Sequence, residues 1–229
     1  MNLDHQKILL DKLLELITPE RVNRFYEVIQ YRTNHIRVVV EDIFQPQNAS
    51  AVIRSCDCFG IQNLHIIENK NKYKVNPDVA LGSSKWVNLL KHNSAEGNNT
   101  ENCIKELKKN GYNIVATTPH GNTTSIEDFD VSKKFALFFG TEKDGLSEEA
   151  IQKADVRLKV PLYGFTESLN ISVCAAICLQ YLTSKARLNV DNYYLSEEEK
   201  IATLLKWAKQ TIKNSDVVEQ RILNELKSI

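Results

Sequence analysis

The chain has 229 residues, 42% hydrophobic and 25% charged, with 29 basic and 29 acidic side chains and a formal net charge of zero. That length buries a sizeable core without disulfide staples, and the absent charge excess means any nucleic-acid surface must come from local segregation. No run of eighteen apolar residues is present, which argues against a transmembrane helix, and MNLDHQKILLDKLLEL lacks the apolar centre of a signal peptide.

Residues 3–17 carry Leu or Ile at 9, 10, 13, 14, 16 and 17, a helical stripe. Thr18-Pro19-Glu20 restarts a helix, with Thr as N-cap and Pro at its first position, and this second helix reaches about Tyr31. From Ile36 the pattern becomes alternating strands and helices. Strands are predicted at Ile36–Glu41, Asn63–Ile67, Tyr112–Thr117, Phe135–Phe139 and Val156–Val160, rich in Val, Ile and Phe as parallel strands buried on both faces are. Helices are predicted at Ala49–Cys58, Thr100–Asn110 and Ser147–Ala154, so the order implies an α/β sheet with right-handed crossovers. Gly60 and Gly111 stand where helix C-caps belong. Asn69–His92 reads as a connection with some helix; its five lysines against one aspartate give a local charge of +4. A lysine-rich loop is ordinarily a solvated surface, but Tyr73 and Trp86 beside Lys70, Lys72, Lys74 and Lys85 make it a candidate nucleic-acid surface as well. A helix from about Ser168 to Leu188 is apolar nearly all round and so deeply buried. Ser196 with Glu199 forms a capping box for a helix at Glu197–Lys213, and Val217–Lys227 closes the chain. The expected division is a helical extension at 1–35, an α/β domain at 36–189 and a second helical extension at 190–229.

The eight glycines never stand one residue apart, which excludes the G-x-G-x-x-G fingerprint and the G-x-x-x-x-G-K-[ST] phosphate loop. Five cysteines, an odd number, suit a reducing compartment, hence an expected cytoplasmic location. Cys56 with Cys58, and Cys174 with Cys178, lack a C-x-x-C pattern or a nearby histidine, so no metal is expected.

Three stretches place polar residues where a strand ends and a helix begins, the usual ligand position in α/β sheets. Asn48 sits at a helix entry as a natural N-cap, with Arg54 further along; a lone helix arginine is ordinarily solvent-facing. Glu142 lies in the short loop between Gly140 and Gly145, either an ordinary charged turn or a ligand-orienting carboxylate. Ser168-Leu169-Asn170 opens the buried helix, either capping it or binding an anion at its free N–H groups.

In order, N-x-x-A-x-x-R-[ST] (Asn48, Ala51, Arg54, Ser55), F-G-x-E-x-x-G (Phe139, Gly140, Glu142, Gly145) and P-x-x-G-x-x-x-S-L-N-x-S (Pro161, Gly164, Ser168, Leu169, Asn170, Ser172) resemble the three motifs of the SpoU family of RNA ribose 2′-O-methyltransferases, in the SPOUT superfamily. Gly82–Val87 and the terminal helices are most similar to the branch acting on guanosine 18 of tRNA; Phe165-Thr166-Glu167 departs from that branch. The resemblance implies a parallel sheet with a C-terminal deep trefoil knot and a homodimer sharing its active sites. It also implies S-adenosylmethionine bound at Thr117, Gly140, Val160 and Leu169, and a tRNA substrate. The catalytic residues would be Arg54, Asn48, Glu142, Ser168 and Asn170. Arg54 would act either as the base that removes the hydroxyl proton or as a cation gripping phosphate and steadying the alkoxide. Other RNA targets, a catalytically silent RNA-binding module and an unrelated nucleotide-binding α/β protein are the rival readings.

Overall fold

A computed structural model describes residues 2–73 and 76–227. They form two compact units, one of residues 33–193 and one of residues 1–32 with 194–229.

The larger unit is built on β1 (Ile36–Glu41), α3 (Pro46–Phe59), β2 (Asn63–Ile67), α4 (Pro77–Ala80), β3 (Asn88–His92), α5 (Asn99–Lys109), β4 (Asn113–Thr117), β5 (Thr124–Ser125), β6 (Phe135–Phe139), α6 (Glu148–Lys153), β7 (Val156–Lys159) and α7 (Ile171–Asn189). A 3-10 turn covers Ser83–Lys85. The seven strands make one sheet in the order β3-β2-β1-β6-β4-β7-β5, and every recorded pairing is parallel.

Alternation along the central strands sorts the core into two layers. Ile36, Val38 and Val40 with Phe135, Leu137 and Phe139 face one cluster, which Val52 and Ile53 of α3 and Leu179 and Leu182 of α7 complete. Val39, Ala136 and Phe138 face the other cluster, closed by Cys103, Ile104 and Leu107 of α5. Both faces are therefore dry, which is why these strands carry almost no polar residue. Gly60 caps α3 in the left-handed region (φ 81°), and its N–H returns to the carbonyls of Cys56 and Asp57.

The smaller unit holds α1 (Leu3–Leu14), α2 (Pro19–Ile29), α8 (Glu197–Thr211) and α9 (Ser215–Lys227). Trp207 is its buried anchor, tilted against Phe25 at 5.6 Å between ring centroids. The capping box of Ser196 and Glu199 is present in both directions.

Three expectations need correction. The segment 69–92 is more than a connection: it contributes α4, the 3-10 turn and the edge strand β3, whose five residues are half-buried or exposed and so carry no burial periodicity. Asn48 is not the N-cap of α3. Gln45 is, and Pro46 with its fixed φ starts the helix three residues earlier. Ser168 does not begin the last buried helix either; α7 starts at Ile171 with Asn170 as its cap. Among the described residues no helix is long and apolar enough to cross a membrane.

Candidate active site

The carboxyl ends of β4, β6 and β7 open into one cleft of about 620 Å³. Thr117 at the end of β4, Gly140 after β6, and Val160 and Leu169 in the connection from β7 to α7 all line it, as do Glu142 and Ser168. Apolar side chains of Phe139, Leu158, Leu162 and Ile171 form much of its wall. That size and mixture suit a nucleoside-bearing small molecule.

Gly140 explains the shape of one rim. The loop after β6 doubles back so that Thr141 and Gly145 exchange backbone hydrogen bonds of 2.9 and 3.0 Å. A Cβ at Gly140 would lie 2.1 Å from the Gly145 carbonyl carbon and oxygen, so only glycine admits this fold-back. Gly145 itself has φ 69°. Thr141 Oγ1 accepts from the Asp144 N–H at 3.0 Å, closing the loop internally.

Beside the cleft the three motif stretches meet through side chains. Asn48 Nδ2 donates to Glu142 Oε1 at 3.0 Å and to Gln45 Oε1 at 3.1 Å. Asn170 Nδ2 donates to Asn48 Oδ1 at 3.2 Å and also to Glu142 Oε1. Asn170 Oδ1 meanwhile accepts from the Ser172 N–H at 2.9 Å and caps α7. One carboxylate oxygen thus gathers two amides that lie 122 residues apart in the chain. Asn48 is only 8% exposed, so its amide groups need these partners.

Glu41, at the end of β1, supports this region from below. It is 3% exposed, and its two oxygens accept from Thr100 Oγ1 (2.5 Å), Ser147 Oγ (2.8 Å) and the Ser147 N–H (2.8 Å). It therefore fixes the start of α6, directly after the Gly140–Leu146 loop. No motif singles out Glu41, and its one signal in the sequence is an acid directly after the apolar run Val38–Val40.

Cys174 and Cys178 of α7 also face the cleft. The Cys178 thiol donates to Cys174, which lowers the Cys174 thiol's pKa and raises its own. Their i, i+4 spacing was legible; their place in the cleft wall was not.

Arg54 stands apart from this network. Its side chain is exposed on α3 and makes no hydrogen bond or ion pair among the described residues. Of the candidate RNA-binding lysines, Lys70, Lys72 and Lys85 are exposed, and Lys74 lies outside the described residues.

One further cluster has metal-ligand chemistry: His65, His92 and Cys103 bring ligand atoms within 4.8 Å of one another. None of the three lines the cleft. Arg37 Nη1 lies 3.3 Å from His65 Nε2, and a guanidinium only donates, so the His65 proton is on Nδ1, facing His92 Nε2 at 2.9 Å. Burial, then the Arg37 charge, push His65 down to about 3. The result is a neutral hydrogen-bonded chain with a fixed cation at one end, an arrangement that opposes a second cation.

A parallel sheet with its cleft outside the carboxyl strand ends, braced by residues from three distant stretches, defines a ligand-binding α/β protein. The chain belongs to the SpoU rRNA methylase family, whose model matches residues 35–180. It is 44% identical over 210 residues to a tRNA (guanosine(18)-2′-O)-methyltransferase of Borreliella burgdorferi, covering 92% of this chain and 94% of that one. Among solved structures it resembles the A. aeolicus TrmH/SpoU tRNA modifying enzyme, with a TM-score of 0.75 and 30% identity over 85% of this chain and 98% of that one. The fold is shared with the SpoU methyltransferase AviRb from Streptomyces viridochromogenes, solved in complex with the cofactor AdoMet (TM-score 0.60, 22% identity, 71% of this chain and 65% of that one).

Proposed function

We propose that this chain methylates a ribose 2′-hydroxyl of tRNA, at guanosine 18 of the D-loop, with S-adenosylmethionine as donor. The observation that carries the reading is the junction of Asn48, Glu142 and Asn170 beside a cleft that all four expected cofactor positions line. Family membership and the name of the B. burgdorferi relative supply the reaction and the target.

The bound cofactor would supply an electrophilic methyl group on a sulfonium, which leaves as a neutral sulfide and so needs no metal. The chain's own residues position and exclude water. The loop turned at Gly140, together with Thr117, Val160 and Leu169, would hold the donor. Ser168, in the cleft wall just ahead of the α7 cap, would take the target phosphate and ribose. Glu142 keeps both amides oriented, so Asn48 and Asn170 present fixed dipoles where the ribose enters. Arg54 makes no ion pair among the described residues, and a guanidinium keeps its proton in ordinary protein surroundings. Its suited role is therefore a clamp on phosphate that steadies the developing alkoxide, the hydroxyl proton passing to a substrate phosphate oxygen.

Four features complete the reading. The chain from β4 through α7 is threaded as a deep trefoil knot; the insertion of β6 between β1 and β4 supports this. Residues 1–35 and 190–229 act as helical extensions of a catalytic domain at 36–189. Two copies associate, for which the exposed Phe44, Val173 and Ile177 offer apolar surface. The protein works in the cytoplasm, on tRNA held partly by Lys70, Lys72, Lys74 and Lys85. The test is transfer of a tritiated methyl group to total tRNA, followed by mapping of the modified nucleotide. A 2′-O-methylguanosine at position 18 is the expected product; label at another ribose would move the target, and no label would end the reading.

A further inference from the structure

The loop that joins β7 to α7 carries two aromatic rings with nothing packed against them. Tyr163 is 95% exposed and Phe165 is 109% exposed. Neither makes a ring contact, hydrogen bond or cation–π contact among the described residues. Gly164 separates them, and a Cβ there would meet only the Thr166 nitrogen, at 4.0 Å, so the surrounding space is open. The same loop builds the cleft: Leu162 lines it on one side of the pair, and Glu167 and Ser168 on the other. Consecutive Cα atoms are about 3.8 Å apart, so each ring is rooted within two residues of the cleft wall.

Rings left in water at the edge of a site call for a flat, apolar-faced occupant that arrives with the substrate. Residues 161–167 contain no Lys or Arg and one acid, Glu167, so this loop has no cation with which to grip phosphate. What it offers is π surface. RNA loops present unpaired bases whose faces stack on aromatic side chains regardless of base identity. We propose that Tyr163 and Phe165 form a stacking platform for unpaired nucleobases flanking the ribose that is methylated. This rests on the reading of the chain as an RNA ribose methyltransferase. The platform holds the RNA loop open beside Ser168 and contributes affinity that ionic strength leaves largely unchanged.

The test compares Tyr163→Ala/Phe165→Ala, Tyr163→Leu/Phe165→Leu and Tyr163→Trp/Phe165→Trp with the parent full-length protein. It reads tRNA binding by anisotropy at low and high salt, cofactor binding by calorimetry, oligomeric state by sedimentation, and methyl transfer. The alanine pair should weaken tRNA binding about 10- to 100-fold at both salt concentrations, from the usual size of base–aromatic stacking. It should leave the salt slope, cofactor affinity, melting temperature and oligomeric state unchanged. The leucine pair should fail like the alanine pair, and the tryptophan pair should bind as well as the parent, with its fluorescence quenched by tRNA. Leucine variants that bind like the parent would overturn the proposal. So would alanine variants whose oligomer dissociates, since the rings would then cover a second copy of the chain. If the parent itself neither binds nor methylates RNA, the functional reading fails; if it does both and the alanine pair matches it, only the platform fails.

Discussion

Asn170 Nδ2 donates to Asn48 Oδ1 at 3.2 Å across 122 residues of chain. Asn48 lies in the first turn of α3 and Asn170 caps α7. The bond therefore ties the starts of the two helices that cover the same face of the sheet. Both amides also converge on Glu142 Oε1, so the acid is the hub and the asparagines are its spokes.

Removing the hub leaves two amides short of an acceptor. Glu142→Ala should lower methyl transfer at least about 100-fold, the scale on which loss of substrate positioning acts. Glu142→Gln keeps an acceptor oxygen and should recover part of it. Asn170→Ala should in addition cost about 1 kcal/mol of stability, because it removes the α7 cap. Single-turnover kinetics and urea unfolding separate the two effects.

Arg54 is exposed and unpaired among the described residues, so replacing it should not affect folding. Arg54→Ala should keep the parent melting temperature and cofactor affinity while the single-turnover rate falls at least about 100-fold. Arg54→Lys retains charge but not the fork, and should fall between. A rate flat from pH 6 to 10 fits a clamp; an alanine variant with near-normal methyl transfer would remove Arg54 from the site.

Gly140→Ala places a methyl group 2.1 Å from the Gly145 backbone. The neighbour is main chain, so it cannot swing away as a side-chain tip would. The Thr141–Gly145 bridge should open and cofactor affinity, read by calorimetry, should fall more than about 10-fold, each 1.4 kcal/mol of lost binding being tenfold. Gly164→Ala, in open space, should leave that affinity unchanged.

Stability should fall in mild acid. His65 stays neutral in the folded chain down to about 3, chiefly because it is buried. The unfolded chain takes up that proton near pH 6.5. Between those values the unfolded state binds more protons, so stability is complete above pH 6.5 and declines as pH drops towards 3. His35 and His92 are shifted in the same direction, again by burial first. The slope is roughly 1.4 kcal/mol per pH unit for each proton taken up only on unfolding. His65→Gln should be less stable at pH 7 yet lose less between pH 7 and 5, as read by urea midpoints.

The RNA surface should show itself through salt. Lys72→Glu with Lys85→Glu reverses two exposed charges. Together they should weaken tRNA binding uniformly and flatten its dependence on ionic strength, with cofactor binding untouched. A parent affinity insensitive to salt would remove these lysines from the interface.

How much of this was legible in the sequence depended on where each residue's partners lie. β1, β2 and β6 were readable to the residue, because strands wet on neither face are dense in Val, Ile, Leu and Phe even where Arg37, Asn63 and His65 interrupt them. The edge strands β3 and β5 were not: one is half-exposed and the other is two residues long, so neither has a period to detect. Asn48 was recognisable by motif but misread as a cap, since its partners Glu142 and Asn170 are invisible to local pattern. The sequence S-L-N-I-S offers two equally good caps; only the Ser172 N–H, aimed at Asn170 Oδ1, decides between them.

The strand order has a consequence for synthesis. β6 occupies the slot between β1 and β4, yet both of those are made before it. A nascent chain that has not reached Phe139 therefore holds two apolar strands whose inner edges have no mate, an invitation to wrong pairing. Closure waits for a late, sequence-distant segment to wedge into place, so slow maturation is the kinetic companion of a sheet assembled from its middle last.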